Sequence, residues 1–249
     1  MLLGWVAVLT VTIHAGAAVR GEVGYDYGFY VAVGRHFLET GQAYFPSQSA
    51  PYIAEGMVNI YPPTALYLFV PFVVLPAVLW WAVPLGIIAS ALYRLRPARW
   101  AWPVMALACC VPINAPAVPV ALVYGNTLLW TVAAIFGGAA FRPGLAWAGI
   151  IKPTDLVFGL PFALRSWRGF AVTVVASVAL LPLWFDYIAA LGNLVDGGLL
   201  RGMSAWAALA IPLVAWVART GRSLPARGRW PWSPLRSGPA SGSPPRGMP

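Results

Sequence analysis

The stretch TALYLFVPFVVLPAVLWWAVPLGIIASALY, residues 64–93, carries no charged side chain. About 20 mainly apolar residues in a helix cross the hydrocarbon core of a bilayer, and a charge-free run this long points to lipid rather than to a soluble core. Pro71, Pro76 and Pro84 interrupt the run. It therefore reads as one kinked crossing or as a short dip followed by a crossing. Residues 1–19, 101–123, 127–141, 170–185 and 204–217 have the same character. The composition is 60% hydrophobic and 9% charged, with mean hydropathy +0.73 over 249 residues. An all-α, polytopic helical membrane protein follows, with roughly 7–9 membrane helices, short or re-entrant ones included. The 13 Trp and 10 Tyr suit interfacial aromatic belts.

The net charge of +9 does not indicate nucleic-acid binding, because the positive charges sit in short clusters between apolar segments. These are Arg94, Arg96 and Arg99, then Arg165 and Arg168, then six Arg from Arg219 to Arg246. Residues 20–59 instead carry Glu22, Asp26, Glu39 and Glu55 against Arg20 and Arg35. The positive-inside rule places the Arg clusters and the N-terminus in the cytoplasm and the Asp26 loop outside. Residues 1–218 form the membrane domain and residues 219–249, rich in Pro, Arg, Gly and Ser, a disordered basic cytoplasmic tail. Residues 1–19 read as a retained helix, since no charged segment precedes them as in a cleaved leader. Cys109 and Cys110 are adjacent and read as small hydrophobes.

Past the first helix, residues 27–39 read as an amphipathic surface helix. Phe29, Tyr30, Val33 and Phe37 recur on one side, Arg35, His36 and Glu39 on the other flank, and Gly41 ends it. Tyr61-Pro62-Pro63 opens the next helix. Pro103, Pro112, Pro116 and Pro119 mark a second broken zone ending at Tyr124-Gly125-Asn126. Residues 144–162 are too few for two crossings, so they read as two half-helices with Lys152 near the turn.

The order of these elements resembles the GT-C integral-membrane glycosyltransferases. The closest resemblance is to family 87, with its polyprenyl-phosphomannose-dependent α-mannosyltransferases. The shared features are the Tyr25-Asp26-Tyr27 loop after the first helix, Gly41-Gln42-Ala43-Tyr44 and Tyr61-Pro62-Pro63. They continue with Gly125-Asn126, where the family has Gly-Gln-x-Asn, and with Ile151-Lys152-Pro153 followed by Arg165-Ser166-Trp167-Arg168. The resemblance covers about residues 1–190 of a chain shorter than family members. It implies a cell-membrane enzyme that moves a hexose, mannose by resemblance, from a polyprenyl-phosphate carrier to a lipid or glycan acceptor on the outer face, and the single Lys beside 15 Arg suggests a GC-rich, bacterial genome. Asp26 would be the general base.

Direct displacement at a glycosyl phosphate needs a base at the acceptor hydroxyl and positive charge at the departing phosphate. Asp26 suits the base, and the competing role is a helix cap. Lys152, the only Lys, needs an anionic partner in an apolar segment. That partner is either Asp155 or the carrier phosphate. Arg35, His36, Tyr61 and Asn126 are the other candidate substrate-binding residues. No His, Cys or Asp cluster has metal-ligand spacing, and neither a cofactor nor a metal is expected. The non-enzymatic alternatives are a small transporter or lipid-handling protein, and a non-catalytic membrane protein that assembles with another.

Overall fold

The computed structural model describes residues 2–45, 59–110, 117–196 and 206–220. The tail beyond Thr220 and most of the Pro-, Ser- and Gln-rich loop before Asn59 lie outside the described residues. The described chain is helical, and its one β contact is an isolated bridge between Pro97 and Arg219.

Helix α1 is Leu2–Val19, and the amphipathic α2 is Tyr25–Thr40. Gly41, at φ +74°, ends α2 with its N–H on Phe37 O, as a left-handed glycine does. Residues 64–93 resolve into a dip and a crossing. The dip runs over Pro63–Ala65, α3 (Leu66–Phe69) and Val70–Val73, and packs along α2. After a turn containing Pro76, α4 (Val78–Leu95) continues through Pro84 without ending. The second broken zone holds α5 (Ala101–Cys110) and α6 (Ala117–Tyr124), and α7 (Leu128–Ala140) follows.

Helices α4 and α7 are parallel and closely packed. Trp80 Nε1, in the first turn of α4, donates to Gly125 O just before α7, at 2.7 Å. At the far ends, the Arg94 guanidinium lies over the Phe141 ring, 5.5 Å from its centre. The 13 residues of α7, rising about 1.5 Å each, separate an Asn126 end from an Arg142 end by about 20 Å.

The segment after Arg142 climbs back as the 3₁₀ helix Pro143–Ile151 and turns at Lys152. It then descends through α8 (Pro153–Leu156), the turn Val157–Gly159 and α9 (Leu160–Ala163). Small residues allow the hairpin to nest. A Cβ on Gly138 of α7 would sit 2.7 Å from the Ala146 Cβ, and Trp147 Nε1 ties the rising arm to Ala163 O of the falling one at 2.9 Å. This is the pair of half-helices that the length of the segment demands.

Helices α10 (Trp167–Ala179) and α11 (Leu181–Asp196) are bent by 80° against each other, and α12 (Trp206–Val217) returns to the Arg end. There Ala98 N donates to Ala218 O at 2.7 Å. One described helix, Val78–Leu95, is by itself long and apolar enough to cross a membrane, or two if the bent pair counts as one. Of the expected 7–9 membrane helices, short or re-entrant ones included, the described residues show these by length and composition, beside shorter apolar helices such as Leu128–Ala140. One break coincides with Pro76 before α4, while α4 and α12 run on through Pro84 and Pro212.

Candidate functional site

Three segments distant in sequence meet at the Asn126 end. The first is the glycine turn between α1 and α2. Gly24 has φ +75°, and its N–H donates to Val123 O at 2.8 Å, which joins the start of α2 to the end of α6. Asp26 then falls in the first turn of α2. It is not the cap: Gly24 holds that position and no side chain caps the helix. The Asp26 carboxylate turns inward instead, and its Oδ2 accepts from Asn126 Nδ2 at 2.7 Å.

The second segment is the turn Gly125-Asn126-Thr127. Gly125 has φ +71°, and a Cβ there would lie 2.8 Å from the Trp81 ring and 2.9 Å from Tyr27 Cβ. No larger residue fits without movement. Asn126 Oδ1 accepts from Leu128 N–H at 2.9 Å, which assigns the amide oxygen to α7 and the amide nitrogen to Asp26. Thr127 is fully buried, and its hydroxyl donates to Tyr61 OH at 3.1 Å.

The third segment is the apex of the hairpin. Lys152 Nζ stands 3.5 Å from Asp155 Oδ2, and Asp155 is 1% exposed. Lys152 also acts on Asp26 through space. Burial pushes the Asp26 carboxyl above the ordinary aspartate range, while the Asn126 hydrogen bond and the Lys152 charge pull it back down. Thr64 Oγ1 donates to Ile150 O at 3.3 Å, fastening the apex to the dip.

Beneath the carboxylate lies a hydroxyl and aromatic layer. Tyr30 follows Asp26 by four residues on the same face of α2, and the Tyr30 and Tyr61 hydroxyls share a hydrogen bond at 2.8 Å. Asn59 Oδ1 accepts from Tyr61 N–H at 3.1 Å, and Tyr44 OH donates to Tyr61 O at 2.9 Å. Tyr27, Phe69, Phe72, Trp80 and Trp130 pack around this group, mostly edge-to-face or tilted. Each such ring pair adds about 0.5–1.5 kcal/mol beyond burial, which makes the layer a stiff floor.

The structure therefore joins Asp26, Asn126, Lys152 and Tyr61. It leaves Arg35 and His36 apart. Arg35 is nine residues on from Asp26, half a turn round α2, and is exposed. His36 is half-buried, stacks on the Phe45 ring at 4.8 Å, and its Nε2 has no hydrogen-bond partner among the described residues. Tyr30 and Thr127 were not singled out in the sequence, although the four-residue spacing from Asp26 pointed to Tyr30. Among the described residues no group of three or more His, Cys, Asp or Glu is gathered as for a metal ion. No family model, curated protein or solved structure matches the chain.

Proposed function

We propose that the chain is a polytopic cell-membrane glycosyltransferase of the GT-C type. It passes a hexose from a polyprenyl-phosphate carrier to a lipid or glycan acceptor at the outer face, with Asp26 as general base. The observation that carries this reading is the Asp26 Oδ2–Asn126 Nδ2 hydrogen bond at 2.7 Å within the field of Lys152. Three remote segments meet there, two through the left-handed turns at Gly24 and Gly125 and the third fastened by the Thr64–Ile150 hydrogen bond.

The chemistry follows from what each group offers. Asn126 occupies one carboxylate oxygen and leaves the other for an acceptor hydroxyl. A carboxylate made more basic by burial takes the hydroxyl proton as the acceptor oxygen bonds to the anomeric carbon. The bond from that carbon to the phosphate oxygen breaks, and the carrier phosphate departs with the electron pair. An ammonium has three donors, so Lys152 can keep Asp155 and still meet that phosphate. Tyr61 supports the Asp26 helix through Tyr30 rather than lining an open cleft.

Placement in a bilayer is supported by the surface. Val172, Val175 and Val178 of α10 and Phe185 and Ile188 of α11 are all more than half exposed. Contiguous apolar surface of that kind requires a lipid or protein cover. The gathering of the arginine clusters at the end away from Asp26, where only Arg20 and Arg35 are found, supports the orientation with those clusters in the cytoplasm.

The test is to incubate membranes carrying the chain with radiolabelled polyprenyl-phosphate mannose and related donors. Label passing to a lipid or glycan, in the wild type and not in Asp26→Asn, is the expected result. Tight donor binding with no transfer by either protein would favour the non-catalytic reading.

A further inference from the structure

Helices α4 and α5 are joined by a short loop yet scarcely touch each other, while both pack on neighbours. Between them is a cavity of about 240 Å³. Its walls are apolar: Leu85, Ile88 and Leu92 from α4, Trp102 and Met105 from α5, and Phe136 of α7 behind. Leu85 and Trp102, on opposite walls, are each 41% exposed, so the gap opens sideways through the helix surface.

The loop that spans the foot of this gap carries Arg96, Arg99 and Trp100, all exposed. Arg96 has φ +46°, the one non-glycine positive φ among the described residues, at a helix end where glycine is the usual occupant. Keeping an arginine there costs about 1 kcal/mol of backbone strain. The loop is held rigid against this strain. Thr220 donates to Arg96 O through both its N–H, at 3.0 Å, and its hydroxyl, at 2.6 Å. Glu22 pairs with Arg20, Asp155 with Lys152, and Asp26 accepts from Asn126. The loop arginines have no described acidic partner.

We propose that the α4–α5 gap is a binding site for an anionic phospholipid, with one acyl chain in the cavity and the headgroup phosphate on Arg96 and Arg99. The apolar walls fit a hydrocarbon chain, and the guanidinium groups at its foot fit a phosphate oxyanion. A zwitterionic lipid offers the same chain without net charge and is bound less well. The arginines lie at the opposite end of α4 from Asp26, and the cavity runs from that end along the helices to Leu122 and Leu128 near the Asn126 turn, so it is the headgroup end that is distinct from the proposed donor site. It rests on the bilayer reading and not on catalysis.

The test uses the full chain extracted from membranes into mild detergent. Native mass spectrometry and thermal shift are recorded with phosphatidylglycerol, phosphatidylcholine, undecaprenyl phosphate and inorganic phosphate. Phosphatidylglycerol should be retained and stabilising, and inorganic phosphate should have no effect. Arg96→Gln/Arg99→Gln, at exposed positions that leave the core intact, should weaken phosphatidylglycerol roughly ten-fold. Ala106→Leu, at a buried α5 residue that lines the cavity, narrows the gap and should exclude it with the arginines in place. Equal binding of both phospholipids, or unchanged binding by the double Arg variant, would overturn the proposal. Undecaprenyl phosphate outcompeting phosphatidylglycerol would assign the gap to the carrier instead. Carbonate extraction of the same membranes keeps the two readings distinguishable: a chain released into the supernatant fails the bilayer reading, whereas a retained chain without lipid preference fails this site alone.

Discussion

The two ends of the parallel helices α4 and α7 handle polar groups in opposite ways. At the Asn126 end, side chains satisfy one another: Asp26 with Asn126, Tyr61 with Tyr30 and Thr127, Lys152 with Asp155. At the Arg142 end, arginines remain exposed or lie over aromatic rings, Arg94 over Phe141, Arg96 over Tyr93, Arg168 over Trp167 and Arg219 over Trp216. The first arrangement fixes atoms in space, as chemistry requires. The second leaves the guanidinium groups at the surface and presents a diffuse positive charge, which suits the headgroup contact proposed above. One chain has separated a place for positioning from a place for anchoring, about 20 Å apart along α7.

The largest expected effect is on turnover. Asp26→Asn retains an acceptor for Asn126 Nδ2 and cannot take a proton, so transfer should fall roughly 10²–10⁴-fold with expression and donor binding near normal. Glu22→Gln, which alters an exposed ion pair with Arg20, is the control and should change turnover little. A wild-type rate in Asp26→Asn would make the Asn126 end a structural cluster and nothing more.

Next in size is Lys152→Met, which strips the buried Asp155 of its cation. About 3 kcal/mol of stability should be lost by chemical denaturation, the low end for a broken buried pair because Lys152 is partly exposed. Lys152→Met/Asp155→Asn should recover much of that loss. If donor affinity stays low in the recovered double variant, the phosphate role stands, and if it returns to normal, Lys152 leaves the site. Gly125→Ala should cost about 2–3 kcal/mol, since it combines an unfavourable φ with a clash against Trp81 and Tyr27. Chemical denaturation measures this too, and substitution of the solvent-facing Gly21, whose Cβ would meet nothing, should cost less.

The smallest effect concerns pH. The fold raises the Asp26 carboxyl above its usual 3.8, so folding favours the protonated form. That contribution is present below the usual value and lost as pH climbs through the raised one. Wild type should therefore lose stability relative to Asp26→Asn as pH rises from the usual aspartate value through the raised one, by an amount that solvent screening keeps small. The acid limb of the rate profile should likewise sit above the ordinary aspartate range. A wild type that gains on the variant over that interval would contradict the burial of Asp26.

Much of this division was legible in the residues themselves. Arg clusters between apolar runs gave the Arg142 end, and the length of residues 144–162 gave a hairpin with Lys152 at its turn. The α2 boundaries followed from hydrophobic spacing and Gly41. Asp26, Asn126 and Lys152 were each visible as candidates, but their meeting was not, because it depends on long-range hydrogen bonds that leave no local pattern. Arg35 is set apart from Asp26 by its helical phase, which places it on the opposite side of α2 despite its nearness in sequence. The Pro residues of 64–93 allowed either one kinked crossing or a dip and a crossing, and the choice between them rests on packing of the dip against α2, which leaves no local pattern.

The separation of the two ends across a bilayer is the claim on which the rest stands, and one labelling experiment addresses it. Single cysteines are placed at Val23, beside the Asp26 turn, and at Trp100, on the arginine loop, both exposed, in a chain with Cys109 and Cys110 replaced by Ala. Intact cells are treated with a membrane-impermeant maleimide, then permeabilised and treated again. The account predicts labelling at Val23→Cys in intact cells and at Trp100→Cys only after permeabilisation. Equal labelling of both positions in intact cells, or the reverse pattern, would contradict it.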